Sequence, residues 1–393
     1  MPESATGIRA TTRRECARIT SNRLYPLLMI VLPLTSFGIL WAIFHQQVPR
    51  NLPVAVCDLD ASKLSRQVMR MIHATPTMDV LFHVSDPEKG RKLLLEGKAY
   101  AFVLLPRSLE RDAKRGKAPE IIGYYNAQWL LAGSLITRDL TAVVGTASAA
   151  LDLRARRLRG EMYAAAKAHV EPIRVETHAL FNPQFNYLYF LLTTLLPTML
   201  QIFVLVLAVH SIGLELKEGT ARAWLETAGN SVWRALAGKL LPYTGNFLIL
   251  AMFILSFLFR YLGVPARGNL LLLGVGTVLF VLAYQAMGIL LVSVTANLRL
   301  ATSLTAFYAG AAFAFTGVTF PSMAMPEIGK AWGELLPLTY YLRLIIQQGI
   351  QGAPCSTSLE ALGALLAFAL LPPLVSHKRM ARLLRHDRYW GKR

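Results

Sequence analysis

The chain has 393 residues, 54% of them hydrophobic and only 16% charged, against roughly 25% charged in an average soluble domain. That balance puts membrane proteins first among the classes to test. The formal net charge of +18 does not indicate nucleic acid, because the basic residues sit mainly at the edges of apolar runs instead of clustering beside stacking aromatics.

A bilayer core about 30 Å thick needs roughly 20 apolar residues in a helix. Five stretches reach that length without Asp, Glu, Lys or Arg: Leu24 to Phe44, Asn186 to His210, Leu240 to Phe259, Asn269 to Leu298 and Leu300 to Pro326. A sixth, Ala361 to Ser376, is charge-free but short, and reaches full length if its helix begins near Thr357 and takes in Glu360. The fold expected is an α-helical integral membrane protein with six transmembrane helices and a mixed α/β extracytoplasmic domain between helices one and two.

Residues 1–23 form a basic cytoplasmic segment with Arg9, Arg13, Arg14, Arg18 and Arg23. It precedes a first span (24–44) longer than a signal core and without an A-x-A site after it, which predicts a retained anchor. Arg and Lys near span ends mark the cytoplasmic side. Six crossings return the C-terminus to that side, where the tail (377–393) carries Lys378, Arg379, Arg382, Arg385, Arg388, Lys392 and Arg393 against Asp387.

Residues 45–185 are too long for the charge rule to decide their side and are expected to fold outside the cytoplasm. Strands are predicted at Val54 to Cys57, Met78 to Val84, Tyr100 to Leu105 and Glu120 to Tyr125. Helices are predicted from Ser62 through Ile72, from a capping box of Ser85 and Glu88, and over Trp129 to His169. The D-x-D of Asp58 and Asp60 is read as a turn and helix cap in preference to a metal and nucleotide-sugar site. Cys16, Cys57 and Cys355 form no C-x-x-C pair, and His73, His83, His169 and His178 have no ligand spacing, so no metal and no cofactor are expected.

The spans carry no ionisable residue in their interiors, where ion-coupled carriers usually keep one. No Gly-Lys pair is followed by Ser or Thr, so G-x-x-x-x-G-K-[ST] is absent. Active transport would then draw on a nucleotide hydrolysed by another subunit, a passive channel or a scaffold would show the same absences, and the chain itself is not expected to be an enzyme. The five-helix part (186–376) contains a polar connector at 211–239 with Glu215, Lys217, Glu218, Gly219, Thr220, Arg222, Trp224 and Glu226.

Leu214 to Thr220 (L-E-L-K-E-G-T) followed by Gly238 to Tyr243 (G-K-L-L-P-Y) resembles the permeases of type 2 ABC exporters. So does the block from Gly317, with F-P, M-P, a Trp and L-P-L-T-Y in order, and so does V-A-V-C-D-L-D-A-S-K-L-S from Val54 to Ser65, which is similar to the subgroup with a large domain after helix one. The sequence departs from the family at Ala221 to Gly229, where A-R-A-W-L-E-T-A-G replaces an L-E-x-L-x-x-T-P series. The resemblance implies that Glu215, Glu218, Gly219 and Thr220 couple to a cytoplasmic ABC ATPase subunit. It implies a second permease copy or a paralogue as partner and, where export crosses two membranes, a periplasmic adaptor protein. The location implied is the cell inner membrane. A non-pumping membrane scaffold or secretion component of the same fold is the alternative.

The translocation path is expected on helix five, where Thr302, Thr305, Ala309, Ala312, Thr316 and Thr319 recur at three and four and would share one helical face. Asn186, Thr193 and Gln201, in step with Phe190 and Pro197, form its counterpart on helix two.

Overall fold

The computed structural model describes residues 6–170, 180–183 and 185–391; His178, Lys392 and Arg393 lie outside them. Two compact units result, one of Met1–Gln47 with Ala179–Arg393, the other of Val48–His178.

The second unit is a mixed α/β layer structure. Strands β1 (Leu52–Asp58), β2 (Met78–Val84), β3 (Ala101–Leu105) and β4 (Ile122–Tyr125) form one sheet in the order β2-β1-β3-β4. β1 runs parallel to both neighbours and β4 antiparallel to β3. Being central, β1 is buried on both faces: Val54 and Val56 join a core with Leu64, Val68 and Ile72, whereas Ala55 and Cys57 pack with Phe102 on the other side. The first of these cores holds α3 (Lys63–His73) and the long α6 (Leu130–Leu158), and α4 (Pro87–Leu95) covers the opposite face. A short α5 (Leu109–Lys114), unforeseen in the sequence, follows β3, and α7 (Tyr163–Val170) continues the long helical stretch after a break at Gly160.

Asp58 and Asp60 serve as caps. Asp58 accepts from the N–H groups of Asp60 (3.0 Å) and Ala61 (2.9 Å) and from the Ser65 hydroxyl (2.7 Å), and Asp60 accepts from Glu110 N–H (3.0 Å). The capping box lies at Ser62 and Ser65. The expected box of Ser85 and Glu88 does not form. Asp86 is the cap of α4, accepting from Glu88 N–H at 3.1 Å, with Pro87 supplying the preset φ of the first helical position.

The first unit is helical. Among the described residues, six helices are long and apolar enough to cross a bilayer. They are α2 (Leu24–Phe44), α6, α8 (Tyr187–Lys217), α10 (Val232–Tyr261), α11 (Leu270–Thr295) and a segment Cys355–Arg385 made of one 3-10 turn and α15 (Leu359–Arg385). α6 meets these criteria but buries Ala132, Ile136, Val143 and Ala147 in the core of the α/β unit. The other five coincide with expected spans, and the last is lengthened at its start as anticipated, through Thr357 and Glu360. It also runs through Pro372 and Pro373 to Arg385, so most of the basic tail is helix.

The expected fifth span is not one helix. α12 (Leu298–Gly310) ends after 13 residues and a 3-10 turn follows at Ala312–Phe315. Beyond Gly317, at φ +81°, the chain makes a short 3-10 turn at Ser322–Ala324, then α13 (Glu327–Glu334) and α14 (Pro337–Leu344). Pro321 and Pro326 lack the N–H a continuing helix needs and bias their predecessors away from helical backbone. The two short helices are anchored through polar atoms: Tyr308 donates its hydroxyl to Leu335 O (2.7 Å), Tyr284 accepts from Leu338 N–H (3.3 Å), and Tyr341 stacks on Phe280 with ring centroids 4.1 Å apart.

Candidate functional site

The connector between α8 and α10 is not a solvated loop. Glu215 lies in the last turn of α8 and is fully buried. That helix stops because Gly219 adopts φ +70°, a left-handed backbone that suits glycine. Gly219 N–H then bonds Leu216 O (3.4 Å) and Thr220 N–H bonds Glu215 O (3.0 Å), which satisfies the terminal carbonyls of the helix in a Schellman motif. The chain turns directly into α9 (Ala221–Thr227), a two-sided helix. It buries Ala221, Trp224 and Leu225 and exposes Arg222, Ala223 and Glu226. Trp224 donates its indole N–H to Ala235 O (3.2 Å) on α10.

Beneath α9 lies a buried ionic cluster. Lys239 of α10 has no exposed surface and donates to Glu15 (2.6 Å) and to Glu215 (2.8 Å). Its ammonium stands 5.0 Å from the Trp224 ring centroid, within cation–π range. Glu15 comes from α1 (Ile8–Ser21) and also accepts from the Tyr243 hydroxyl (2.6 Å). Glu215 receives Arg14 through both guanidinium nitrogens (2.7 and 3.0 Å), Arg18 (2.6 Å) and the Thr220 hydroxyl. Arg18 reaches on to the half-exposed Glu218. Burial lowers the Arg18 pKa, but the carboxylates of Glu215 and Glu218 outweigh it, so the net shift is upward and the guanidinium stays charged.

The packing of α1 against α10 depends on Gly238: a Cβ there would stand 2.7 Å from Thr11 Cβ and 2.8 Å from Ile8 O. Thr12 donates to Gly238 O at 3.0 Å. Charges buried this deeply persist only when paired and hydrogen-bonded, and each carboxylate here has several donors. The cluster therefore joins α1, α8 and α10 to the turn that launches α9.

Of the expected coupling residues, Glu215 is an internal tie, Thr220 bonds it, Gly219 makes the turn, and Glu218 reaches the surface. Glu15 is not among the residues expected to couple, Arg14 and Arg18 enter the sequence reading only as charges marking the cytoplasmic side, and Lys239 and Tyr243 only as part of G-K-L-L-P-Y. Two signals were there to read: a lone glutamate four residues after Thr11 on a basic helix, and a lysine adjoining the apolar run that begins at Leu240.

The expected path residues divide. Thr305 and Ala309 on α12 and Ala312 on the following 3-10 turn are buried, and Ala309 O accepts from Gln201 of α8 (3.4 Å). Thr193 and Gln201 are buried along α8, and Asn186 caps its start, accepting from Tyr189 N–H (3.3 Å). Thr302 is exposed and bonds its own backbone at Leu298 O (2.8 Å). Thr316 and Thr319 lie past the end of α12, so the six residues do not share one helical face; Thr316 is buried and Thr319 exposed.

No curated protein matches the sequence. The sequence profile of the family described as ABC-2 family transporter protein matches residues 26–374, a stretch that takes in the whole α/β unit and α8, α9 and α10 but not α1 or the end of α15. The chain belongs to the ABC-2 family of transporter proteins.

Proposed function

We propose that this chain is the membrane-spanning permease subunit of an ATP-driven exporter, working as a dimer of two copies or with a paralogue, and driven by a separate cytoplasmic ATPase. The observation that carries the reading is α9, a short helix with an exposed polar face seated on the Glu15–Lys239–Glu215 cluster. A polar helix that only linked two spans would need no such anchorage. ATPase closure pushes on Glu218, Gly219, Thr220 and the outer face of α9, and the ion pairs pass the push to α1, α8 and α10.

In this reading both termini are cytoplasmic, the protein resides in the inner membrane, and residues 45–185 form the extracytoplasmic domain. α12 and the 3-10 turn together span about 28 Å, at 1.5 and 2.0 Å per residue, enough to count as the sixth crossing. The path follows the seam of α8 and α12, from Asn186 through Thr193 and Gln201 to Thr305, Ala309 and Ala312, with Thr302, Thr316 and Thr319 at its ends. A periplasmic adaptor joins where the substrate must cross a second membrane.

Glu218→Arg is the direct test. Glu218 is half-exposed and the ion pair it loses, to Arg18, lies at the surface, where such pairs contribute about 0–1 kcal/mol, so membrane abundance should hold while permease-dependent ATP hydrolysis and export fall together. Undiminished hydrolysis and export would remove the contact, and an equal loss of abundance would make Glu218 structural. The scaffold alternative predicts no ATPase whose hydrolysis depends on this chain.

A further inference from the structure

Where α10 begins and α15 ends, an open cleft of about 620 Å³ is lined by Ser231, Trp233, His377, Lys378, Arg382 and Arg385 among others. No carboxylate of a described residue lines it. Lys378, Arg382 and Arg385 follow one another at four and three along α15 and so project to one side of it. Among the described residues none of them has an ion-pair or hydrogen-bond partner, whereas Arg379 on the same turn is used internally, donating to Ser293 O and to Val294 O (2.8 Å). The nearest acids along the chain are otherwise placed: Glu226 pairs with Arg222 at 3.8 Å, and Asp387 stays outside the lining.

The opposite wall is the first turn of α10, where the Ser231 side chain caps Arg234 N–H (3.5 Å) and the N–H groups of Val232 and Trp233, which have no intrahelical acceptor, favour an anion. Between the walls His377 stacks on Trp233, with ring centroids 4.7 Å apart and planes at 12°, and His377 Nδ1 is buried without a partner. Just before the cations, Leu374 and Val375 of α15 are exposed apolar residues, and Trp233 itself is half-exposed. Apolar surface, a tryptophan and then a row of cations is the sequence of environments met on passing from the acyl region to the headgroups of a bilayer, and basic pockets between spans suit anionic headgroups. The volume equals about 20 waters at roughly 30 Å³ each, ample for a glycerophosphate.

We propose that this cleft binds the phosphate of an anionic phospholipid headgroup, held by Lys378, Arg382, Arg385 and the start of α10. Asn230 and Ser231 connect α9 to α10, so an occupied cleft pins α15 against the turn behind α9. Choosing a lipid over a soluble phosphate rests on reading α15 as a membrane span. Binding is measured apart from export, so the lipid site and the exporter reading fail separately.

The test uses the purified full chain in detergent micelles, titrated with dioleoylphosphatidylglycerol, dioleoylphosphatidylcholine or inorganic phosphate, with bound lipid counted by native mass spectrometry and the unfolding temperature followed in parallel. Phosphatidylglycerol should be retained and phosphatidylcholine should not. Lys378→Gln, Arg382→Gln and Arg385→Gln together should weaken phosphatidylglycerol binding at least tenfold. Arg107→Gln, Arg115→Gln and Lys117→Gln, which remove equal charge from exposed positions of the α/β unit, should change it less than twofold. If the triple variant does not elute as folded protein, Arg382→Gln alone takes its place, with about a threefold loss expected.

Unchanged binding in the variant, or equal retention of the two lipids, overturns the proposal. Stabilisation by millimolar inorganic phosphate with no response to phosphatidylglycerol would assign the cleft to a soluble anion instead. A variant that keeps the lipid but releases the ATPase subunit would make the cations a protein contact.

Discussion

Lys239 bridges two carboxylates 200 positions apart in the sequence, Glu15 and Glu215, and among the described residues the other hydrogen-bond donor to Glu15 is a neutral tyrosine hydroxyl. Lys239→Met should therefore cost about 3–5 kcal/mol, the range for breaking a buried pair by removing one side, and should lower the unfolding temperature in detergent markedly. Adding Glu15→Gln should recover part of that loss, because the stranded charge is then gone. A single variant as stable as the natural protein would mean that the pair is not closed in the membrane. This cluster was hard to see in the sequence because its hydrogen-bonded members lie up to 228 positions apart. L-E-L-K-E-G-T marked Glu215 and Glu218 as one polar stretch, but Glu215 lies inside the last turn of α8, where Arg14, Arg18 and Lys239 close over it, whereas Glu218 is the cap residue at the helix end and stays half-exposed.

At the scale of elements, α1 lies close on α10 because Gly238 has no side chain. Gly238→Ala must push Thr11 and the Ile8 carbonyl away, at about 1–3 kcal/mol for overpacking. The readout is limited trypsin digestion in detergent: cleavage after Arg9 or Arg13 should speed up severalfold while the rest of the chain keeps its fragment pattern. Equal cleavage rates would show that α1 does not pack there. Elements were legible where one local signal decided them. Met78 to Val84 is the strand that alternation and flanking turns predict, and Asp58 and Asp60 are the caps their residue type favours. Leu300 to Pro326 misled because a count of apolar residues measures transfer into lipid and is blind to Gly317, Pro321 and Pro326, which decide whether the backbone can stay helical. α6 shows the converse, a helix apolar enough to span whose stripe packs on a sheet.

For the whole molecule, the proposed topology places Arg14, Arg222 and Arg385 on the cytoplasmic side and Ser65 and Arg111 on the other. Single cysteines at these positions, in a chain with Cys16, Cys57 and Cys355 replaced, should sort accordingly toward an impermeant thiol reagent applied to intact cells. Labelling of position 222 from outside would invert the arrangement and remove α9 from the reach of any cytoplasmic ATPase. The broad architecture was readable from charge-free runs and basic edges, since burial in lipid acts on composition. Which faces meet was not, because packing depends on shape across distant segments.

The long separation between Glu15 and Lys239 also sets an order of events while the protein is being made. At about 5–20 residues per second, some 11 to 45 s pass between synthesis of the glutamate and arrival of its ammonium partner 224 residues later. Through that interval the amino-terminal helix carries Glu15 without the ammonium it will bond when buried. It cannot settle until the helix bearing Lys239 has entered the membrane. Closing of the cluster thus reports that the segments on either side of the connector are both in place, and a chain interrupted before residue 239 leaves that acid unmatched for quality control to find.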